Sequence, residues 1–540
     1  MPTNAPALIR PLVDPGLARA WSVEAIQAHE RALFAGGVDA YGLMERAGGA
    51  AFAVLRDRWP SARRLAVLVG PGQNGGDGLV IARLAHQAGL TVDLLGWSRP
   101  TFQASAAHAW TALASVEPAV EVQTEPAAVD EALQAAEVVV DALFGIGLSR
   151  AIEGEAAAFL RRLEVALSSR AERPGVLAVD LPSGVDANTG AVDPLTPAAD
   201  CTVTFLGIKH GLTTGPAVAA CGERVLADLG FPPAADETSI ELLHGGLRFA
   251  PRPRDGHKGR FGTVLVAAGN RGMPGAARLA AEAALRAGAG KVIVATHPDH
   301  AATLNIGRPE LIVHGVETAH DLLRLAAEAT SVVVGPGLGR DPWAVTVWRA
   351  LRDCPLPLVV DADALRLLGP NSLRERDAVI TPHPGEAAML LECDTAAINA
   401  DRLGSARLLA ERLGCGVVLK GAGSVLADAD RLAVCQRGSP ALATAGTGDV
   451  LAGLLGALLG MGLSRLAAME LGVCLHAEAG EIEAGTHGEW GMAASDLFGV
   501  IRARLNGQVE RCDTGGTGWC RSGSSSDLSA QDDSVPGAGR

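Results

Sequence analysis

Short apolar runs alternate with longer Ala- and Leu-rich stretches along most of the chain. The apolar runs lie at 65–69, 138–140, 176–179, 263–267, 291–295, 331–334, 358–360 and 417–419. Uninterrupted apolar runs of this length are typical of strands buried on both faces, and the stretches between them are long enough for helices. The pattern predicts an α/β protein whose parallel sheets are covered by helices, arranged as three-layer αβα domains.

This alternation breaks between residues 230 and 246, where Phe231-Pro232-Pro233 precedes a polar stretch, and it resumes at Phe261. Because 540 residues exceed what one hydrophobic core usually supports, we expect two domains, at 1–238 and 239–507. Residues 508–540 are rich in Gly, Ser and Asp and have no apolar periodicity. We predict that this last segment is a disordered tail.

Charge and composition argue against several classes of partner. The net charge of −14 disfavours contact with nucleic-acid phosphates and anionic membranes, and one tyrosine among 4% aromatics offers little for base stacking. Nine scattered cysteines without a CxxC pair suit a reducing cytoplasm rather than a disulfide framework or a zinc site. The first thirty residues lack a signal-peptide pattern, and the apolar run 450–463 is too short to span a membrane. We therefore expect a cytoplasmic protein.

In the first half, polar residues follow three predicted strands. The strand at 65–69 leads into Gly70-Pro71-Gly72-Gln73-Asn74-Gly75, a GxGxxG pattern that lets backbone amides approach a phosphate, although a tight strand-to-helix turn has the same sequence. Asp141 follows a second strand, and Asp180 and Ser183 follow a third. Carboxyl ends of parallel strands share one edge of a sheet, so these side chains should converge on Asn74; helix N-capping is the simpler alternative for each of them.

The second half carries Ala445-Gly446-Thr447-Gly448-Asp449 directly before an apolar helix. Amides at the start of a helix form an anion site, and an aspartate there can take a proton from a hydroxyl that attacks phosphorus. A plain N-terminal Asp is the alternative. Lys420-Gly421-Ala422-Gly423-Ser424 follows another strand and adds a cation suited to a phosphate.

The first half resembles NAD(P)H-hydrate epimerases over about residues 20–230. The similarity lies in Leu43-Met44-Glu45-Arg46-Ala47-Gly48, the loop 70–78, Asp141 with 144–147, and 180–184. It implies a Rossmann-like sheet, a K⁺ ion bound by Asn74, Asp141 and Ser183, and Asp180 as the acid/base. The hydrated dinucleotide would bind Asn74, Gly75, Gly76, Asp77, Gly78, Gly145, Ile146, Gly147, Leu148, Ser149, Arg150, Ala151 and Asp180.

The second half resembles the ADP-dependent NAD(P)H-hydrate dehydratases, which are ribokinase-like, over about residues 245–505. Motifs that carry this similarity include His257-Lys258-Gly259, 335–339, Asp361-Ala362-Asp363, 381–386, 420–424 and 446–449. It implies a ribokinase-like sheet and a nucleotide site at Lys420, Gly421, Ala422, Gly423, Ser424 and Gly448. Ala276, Gly337, His383 and Asp449 would contact the hydrated cofactor, with Asp449 catalytic.

Together the two resemblances imply repair of hydrated NADH or NADPH: an epimerase supplies the S form, and a dehydratase removes water from it with ADP as phosphoryl donor, giving AMP and phosphate. Mg²⁺ would neutralise phosphate charge, and the chain would work as a homo-oligomer. Two other hypotheses stay open at this point. One is a small-molecule kinase that uses ATP; the other is a non-catalytic nucleotide sensor in the first half.

Overall fold

The structure is a computed structural model that describes residues 8–9, 17–148, 150–170, 172–374, 376–429, 431–508 and 519–521. The predicted α/β architecture is confirmed. In the described first half the helices are Val23–Ala35, Ala40–Arg58, Gln73–Gln87, Ala104–Val116, Pro126–Ala135, Gly154–Ser168 and Pro216–Cys221. In the described second half they are Pro274–Arg286, Ala319–Ala326, Pro342–Leu351, Pro384–Leu391, Thr395–Ala400, Arg402–Leu413, Thr447–Gly460, Arg465–His487 and Leu497–Leu505.

The described strands form two large sheets and one small pair. The first sheet is parallel throughout and runs, edge to edge, Trp519–Arg521, Glu223–Ala227, Cys201–Phe205, Gly175–Val179, Val138–Ala142, Arg64–Val69, Thr91–Leu95 and Val122–Gln123. The second runs Ile312–Gly315, Lys291–Thr296, Thr263–Ala267, Ser331–Val334, Leu358–Val360, Ala378–Ile380, Gly416–Leu419, Val425–Asp428, Arg431–Cys435, Ile240–Leu243, Arg19–Trp21 and Ile208–Lys209. Leu8–Ile9 pairs with Arg248–Phe249.

Successive residues of the central strands pack into different cores, which explains the uninterrupted apolar runs. Leu65 and Val67 belong to one hydrophobic cluster, whereas Ala66 lies in another on the opposite face of the first sheet. In the second sheet Leu265 and Val266 divide in the same way. Both sheets are therefore covered on both faces, as a three-layer αβα domain requires.

The two halves are joined through the edge of the second sheet. Ile240–Leu243 pairs with Arg431–Cys435 on one side and with Arg19–Trp21 on the other, and Ile208–Lys209 completes the edge. The predicted domain boundary at 238/239 lies just before Ile240–Leu243. Two strands from the first half thus extend the sheet of the second half, an arrangement that the sequence pattern does not indicate.

Part of the predicted disordered tail is ordered, which corrects the prediction for that part. Trp519–Arg521 adds a parallel strand to Glu223–Ala227, and the Trp519 indole is buried. Its Nε1–H donates to Gln436 Oε1 at 3.1 Å, and the Arg224 guanidinium lies 4.9 Å from its ring. Residues 509–518 and 522–540 lie outside the described residues, so the prediction is untested there.

The apolar run at 450–463 lies within a buried helix, Thr447–Gly460, and the turn after it, as predicted. Across the described ranges, none of the helices combines the length and apolar character that crossing a membrane requires.

Candidate active sites

The first site lies where three neighbouring strands of the first sheet end. The loop 70–72 connects Arg64–Val69 to the helix that begins at Gln73. A Cβ on Gly75 would lie 2.0 Å from the Gly70 carbonyl oxygen, and one on Gly70 would lie 2.0 Å from the Leu143 carbonyl oxygen. These glycines therefore allow the turn to close and to touch the loop after Val138–Ala142, which brings Asn74 beside that loop.

Asp141 and Ser183 form a fully buried pair at the ends of adjacent strands. The Ser183 hydroxyl donates to Asp141 Oδ1 at 2.6 Å, and the Ser183 backbone N–H donates to Asp141 Oδ2 at 2.8 Å. The Phe144 N–H donates to Ser183 Oγ at 3.0 Å. Burial raises the pKa of Asp141, although its hydrogen bonds from Ser183 and Leu143 oppose the shift. The convergence predicted from sequence is thus present for this pair.

Asn74 completes the group. Its side chain is buried, yet neither Oδ1 nor Nδ2 has a hydrogen-bond partner among the described residues. A Cβ on Gly145 would lie 3.6 Å from Asn74 Oδ1, so the amide faces the 143–145 loop that also contacts Asp141 and Ser183. A buried amide without a partner is costly unless something binds there. Carboxylate, hydroxyl and amide oxygens are the donors that a hard cation prefers, so the residues fit K⁺.

Asp180 lies at the end of the third strand with a φ of +67°, a backbone conformation that is unfavourable for a non-glycine residue. Its Oδ1 accepts hydrogen bonds from Lys209 Nζ at 2.5 Å and from Thr204 Oγ1 at 3.1 Å. Lys209 is almost fully buried and also donates to the Phe205 carbonyl. Sequence reasoning missed this lysine, because Ile208–Lys209 carries no motif and reaches Asp180 only through the fold.

Two further carboxyl groups lie within electrostatic reach of Asp180. Loss of hydration raises the pKa of Asp77 well above its ordinary value; the charges of Asp180 and Glu30 add to this shift, and Lys209 opposes it. The pKa of Glu30 is raised by burial, again with Lys209 opposing and Asp180 adding. Asp77 is one of the binding residues expected from the family resemblance, whereas Glu30 is not. Both shifts favour the protonated form of the carboxyl group.

The second predicted binding segment of this half, 145–151, lies next to Asn74 through Gly145. Gly145, Ile146 and Leu148 are half-buried and lie a few residues after Asp141, and Gly147 has open space around it. Arg150 and Ala151 are exposed, whereas Ser149 lies outside the described residues. The segment is therefore placed at the rim of the crevice, and its contact with a dinucleotide stays a prediction.

The second site lies at the start of the helix Thr447–Gly460. Gly446 precedes it with a φ of +93°, and a Cβ on Gly448 would lie 3.3 Å from Lys420 Nζ and 3.8 Å from Asp361 Oδ2. The glycine-rich turn before Asp449 and the lysine-bearing turn at 420 therefore share one pocket. A phosphate-binding site with Asp449 at its edge requires these two turns to lie close together.

Lys420 is the cation of this pocket. Its Nζ lies 3.0 Å from Asp361 Oδ1 and 4.0 Å from Glu386 Oε2. Burial alone would lower the pKa of Lys420, but the charges of Asp361 and Glu386 and the hydrogen bond to Asp361 raise it above its ordinary value. Lys420 therefore remains a cation at neutral pH.

Asp449 has an unusual proton affinity. Loss of hydration, followed by the charge of Asp361, raises its pKa to about 7, although Lys420 opposes the shift and Asp363 adds to it. His476, which sequence reasoning missed, lies beside the same turn: its Nε2–H donates to the Thr447 carbonyl at 2.9 Å. Burial, with a smaller contribution from the charge of Lys420, lowers the pKa of His476 to about 4 although the hydrogen bond to Thr447 opposes the shift, so this imidazole is neutral.

Ala276 and Gly337 are in contact with each other. A Cβ on Gly337 would lie 3.0 Å from the Ala276 Cβ, and Gly337 has a φ of +54°. The Asn270 N–H donates to the Gly337 carbonyl at 2.7 Å. The Gly339 N–H donates to Asp363 Oδ2 at 2.9 Å, which connects this loop to the short helix that follows Asp361.

His383 has a structural role that the sequence analysis did not predict. Its Nδ1 accepts hydrogen bonds from the N–H groups of Gly385 (3.0 Å) and Glu386 (3.2 Å), so it caps the helix Pro384–Leu391. The Glu386 carboxylate in turn accepts a hydrogen bond from the backbone N–H of His383 at 2.8 Å. The histidine side chain stays 58% exposed, so contact between its other ring nitrogen and a substrate remains a prediction.

Within the described part of the chain, no group of three or more His, Cys, Asp or Glu side chains could hold a metal ion. A magnesium cage built by these acidic residues alone therefore does not fit the second site. Mg²⁺ held mainly by nucleotide phosphates remains compatible with it, because that ion commonly takes few protein ligands.

Comparisons with known proteins assign a family to each half of the chain. Residues 40–211 match the YjeF-related protein N-terminus family, and residues 264–503 match the NAD(P)H-hydrate dehydratase family. The bifunctional NAD(P)H-hydrate repair enzyme of Coxiella burnetii is 41% identical over 89% of this chain and 98% of its own length. That of Escherichia coli is 40% identical over 91% of this chain and 94% of its own.

A solved structure also overlaps with part of the fold. The ADP/ATP-dependent NAD(P)H-hydrate dehydratase from Bacillus subtilis, co-crystallised with ATP and Mg²⁺, covers 48% of this chain and 95% of its own, with 27% identity and a TM-score of 0.44.

Both of these relatives match most of the chain and are named bifunctional NAD(P)H-hydrate repair enzymes, which favours the repair hypothesis over the small-molecule kinase and over the non-catalytic sensor. The chain belongs to the bifunctional NAD(P)H-hydrate repair enzymes, with an epimerase half and a dehydratase half.

Proposed function

We propose that Asp180 is the acid/base that interconverts the R and S hydrates in the first crevice. All of its hydrogen bonds from Lys209, Thr204 and Phe205 end on Oδ1, which leaves Oδ2 to exchange a proton with a bound hydrate. The strained backbone of Asp180 and the buried cation of Lys209 fix the carboxylate in one orientation. Positioning of this kind is what proton transfer at one carbon requires.

K⁺ would be held by Asn74, Asp141 and Ser183, with the unpartnered Asn74 amide as the main support for this assignment. When bound, the cation supplies positive charge close to the dinucleotide. The chain's own contribution is to hold Asp141 and Ser183 in place through their mutual hydrogen bonds, while the close turn at Gly70 and Gly75 places Asn74 beside them. The dinucleotide would bind along Asn74–Gly78 and 145–151.

In the second site, Asp449 would act as a general base on the hydroxyl of the S hydrate. The freed oxygen attacks the terminal phosphorus of ADP, the bond between that phosphorus and its bridging oxygen breaks, and AMP leaves. Loss of phosphate and of a ring proton then restores the dihydropyridine. The pKa of about 7 carries this proposal, because a base with a pKa near the working pH transfers protons most effectively.

ADP would bind at Lys420–Ser424 and Gly448, with Mg²⁺ carried by its phosphates. Lys420 is the residue that offers charge to a phosphate, since it stays cationic beside Gly448. Ala276, Gly337 and His383 would surround the hydrated nicotinamide. Cytoplasmic location is supported by free thiols at seven of the cysteines; homo-oligomer formation rests on the family resemblance.

The proposed roles can be separated with single hydrate epimers. We expect Asp180→Asn to abolish conversion of R to S while ADP-dependent dehydration of pure S hydrate continues, and Asp449→Asn to have the opposite effect. Asp93→Asn is a matched control, because Asp93 pairs with Arg64 away from both sites. Replacing K⁺ with choline should slow epimerisation alone. Unchanged R-to-S conversion in Asp180→Asn would remove Asp180 from the mechanism.

A further inference from the structure

The loop 420–424 of the second half is held from outside by residues of the first half. Gly421 and Gly423 have φ values of +147° and +61°, so the loop has a backbone shape that favours glycine. A Cβ on Gly423 would lie 2.2 Å from the Thr213 carbonyl oxygen and 2.8 Å from the Thr214 Cα. The loop is therefore in direct contact with the segment that follows Ile208–Lys209.

Thr214 makes the central contact. Its hydroxyl donates to the Gly423 carbonyl at 2.5 Å, with the Ala422 carbonyl 3.2 Å away, and the Gly215 N–H donates to Ala422 O at 2.9 Å. Thr214 is completely buried, so water cannot replace these bonds without a rearrangement of the interface. The far side of the loop is thus fixed by two consecutive residues of the epimerase half.

Arg402 connects Thr214 to the near side of the loop. Its Nε–H donates to Thr214 Oγ1 at 2.9 Å, and its Nη2 donates to the carbonyls of Leu419 and Lys420, both at 3.1 Å. Burial lowers the pKa of Arg402 to about 10, which still leaves it a cation at neutral pH. A hydroxyl can accept one hydrogen bond and donate another. The Thr214 hydroxyl therefore joins Arg402 to the Gly423 carbonyl through two consecutive hydrogen bonds.

We propose that Thr214 is a positioning residue for ADP, supplied by the epimerase half to the dehydratase half. It holds the carbonyls of Ala422 and Gly423 toward the interface, and thereby sets the direction of the loop amides and of the Lys420 backbone. The inference rests on the proposed function in one respect, that 420–424 binds the nucleotide. It predicts that ADP affinity depends on a side chain outside the dehydratase half.

The test is the dehydration kinetics of the full-length Thr214→Val variant with pure S hydrate. Valine has nearly the shape of threonine but leaves the Arg402 donor and the Gly423 acceptor unpaired. We expect the KM for ADP to rise about tenfold, the size of one buried hydrogen bond, with kcat within about twofold of the native value. Thr214→Ser, which keeps the hydroxyl, should restore the KM, and R-to-S conversion should stay unchanged.

Thr202→Val is the matched control, because Thr202 is an equally buried threonine of the first half whose hydroxyl donates to the Cys221 carbonyl at 2.7 Å. An equal change of KM in both variants, or none in Thr214→Val, would overturn the inference. Lys420→Gln separates this failure from that of the proposed site. If Lys420→Gln raises the KM for ADP and Thr214→Val does not, only the inference fails; if neither does, the loop does not bind nucleotide.

Discussion

At the residue scale, Asp180 and Asp449 each lie near a lysine, but their surroundings differ. Lys209 is bonded directly to Asp180, whereas Lys420 is bonded to Asp361, so its charge only partly compensates the loss of hydration at Asp449. Asp449 therefore keeps its proton up to about neutral pH. Asp180 is held in one orientation by a direct ion pair, whereas Asp449 has a pKa close to neutral pH.

This difference predicts the pH dependence of dehydration. The rate should rise with pH and level off above an apparent pKa of about 7, because Asp449 must be ionised to accept a proton. The raised pKa also means that ionising Asp449 costs stability, increasingly from its unfolded pKa near 4 up to about 7 and fully above it. Asp449→Asn removes that cost.

We therefore expect Asp449→Asn to raise the free energy of unfolding, by more at about pH 8 than at about pH 5, where the native carboxyl group is still protonated. Denaturant unfolding at both values measures the effect. An equal change at the two values would mean that the pKa of Asp449 is not raised in the folded protein.

Many of the individual side chains could be predicted from the sequence, and others could not. Asn74, Asp141 and Ser183 follow strands of one sheet, so their proximity follows from the topology. Lys209 and His476 could not be found this way. Lys209 reaches Asp180 from an edge strand of the other sheet, and His476 lies in the middle of a long helix without any local motif.

At the scale of elements, the helix Thr447–Gly460 depends on close packing at its glycines. A Cβ on Gly453 would lie 1.9 Å from the Ala280 carbonyl of the neighbouring helix, and one on Gly456 would lie 2.2 Å from Val333 Cγ2. The glycines bring the helix close to Pro274–Arg286 and to the sheet below. This packing sets the position of the helix start, where Gly448 and Asp449 lie.

Gly453→Ala should therefore destabilise the protein by about 1–3 kcal/mol or more through overpacking, and should reduce dehydration by displacing the helix start. Gly499→Ala is the matched control, since Gly499 also lies in a helix and has open space around it. That control should be neutral or should stabilise by up to about 1 kcal/mol. Thermal unfolding distinguishes them; equal melting temperatures would contradict the packing described.

The existence and order of the strands follow from hydrophobic patterning, because buried parallel strands are uninterrupted apolar runs. The way in which the two halves are joined does not follow from this patterning. Arg19–Trp21 and Ile208–Lys209 are short, and only tertiary contacts place them beside Ile240–Leu243. Trp519–Arg521 lies in a Gly- and Ser-rich segment, whose composition predicts disorder despite the buried indole.

At the scale of the whole molecule, residues 209–215 lie between the two sites. Lys209 pairs with Asp180 at one end of this segment, and Thr214 binds the loop 420–424 at the other. The epimerase half therefore also contacts the loop that we propose to bind ADP. This arrangement gives a physical reason for both activities to occur in one chain, in addition to the chemical one that a stereospecific dehydratase clears a single epimer.

The most direct test of the whole account is the recovery of dihydronicotinamide absorbance from mixed R and S hydrates with the full-length protein. With ADP present, we expect absorbance to recover completely, because epimerisation feeds every molecule to the dehydratase; without nucleotide it should not recover. With Asp180→Asn, recovery should stop at the S fraction. A phosphorylated hydrate that accumulates without any gain in absorbance would contradict the repair function.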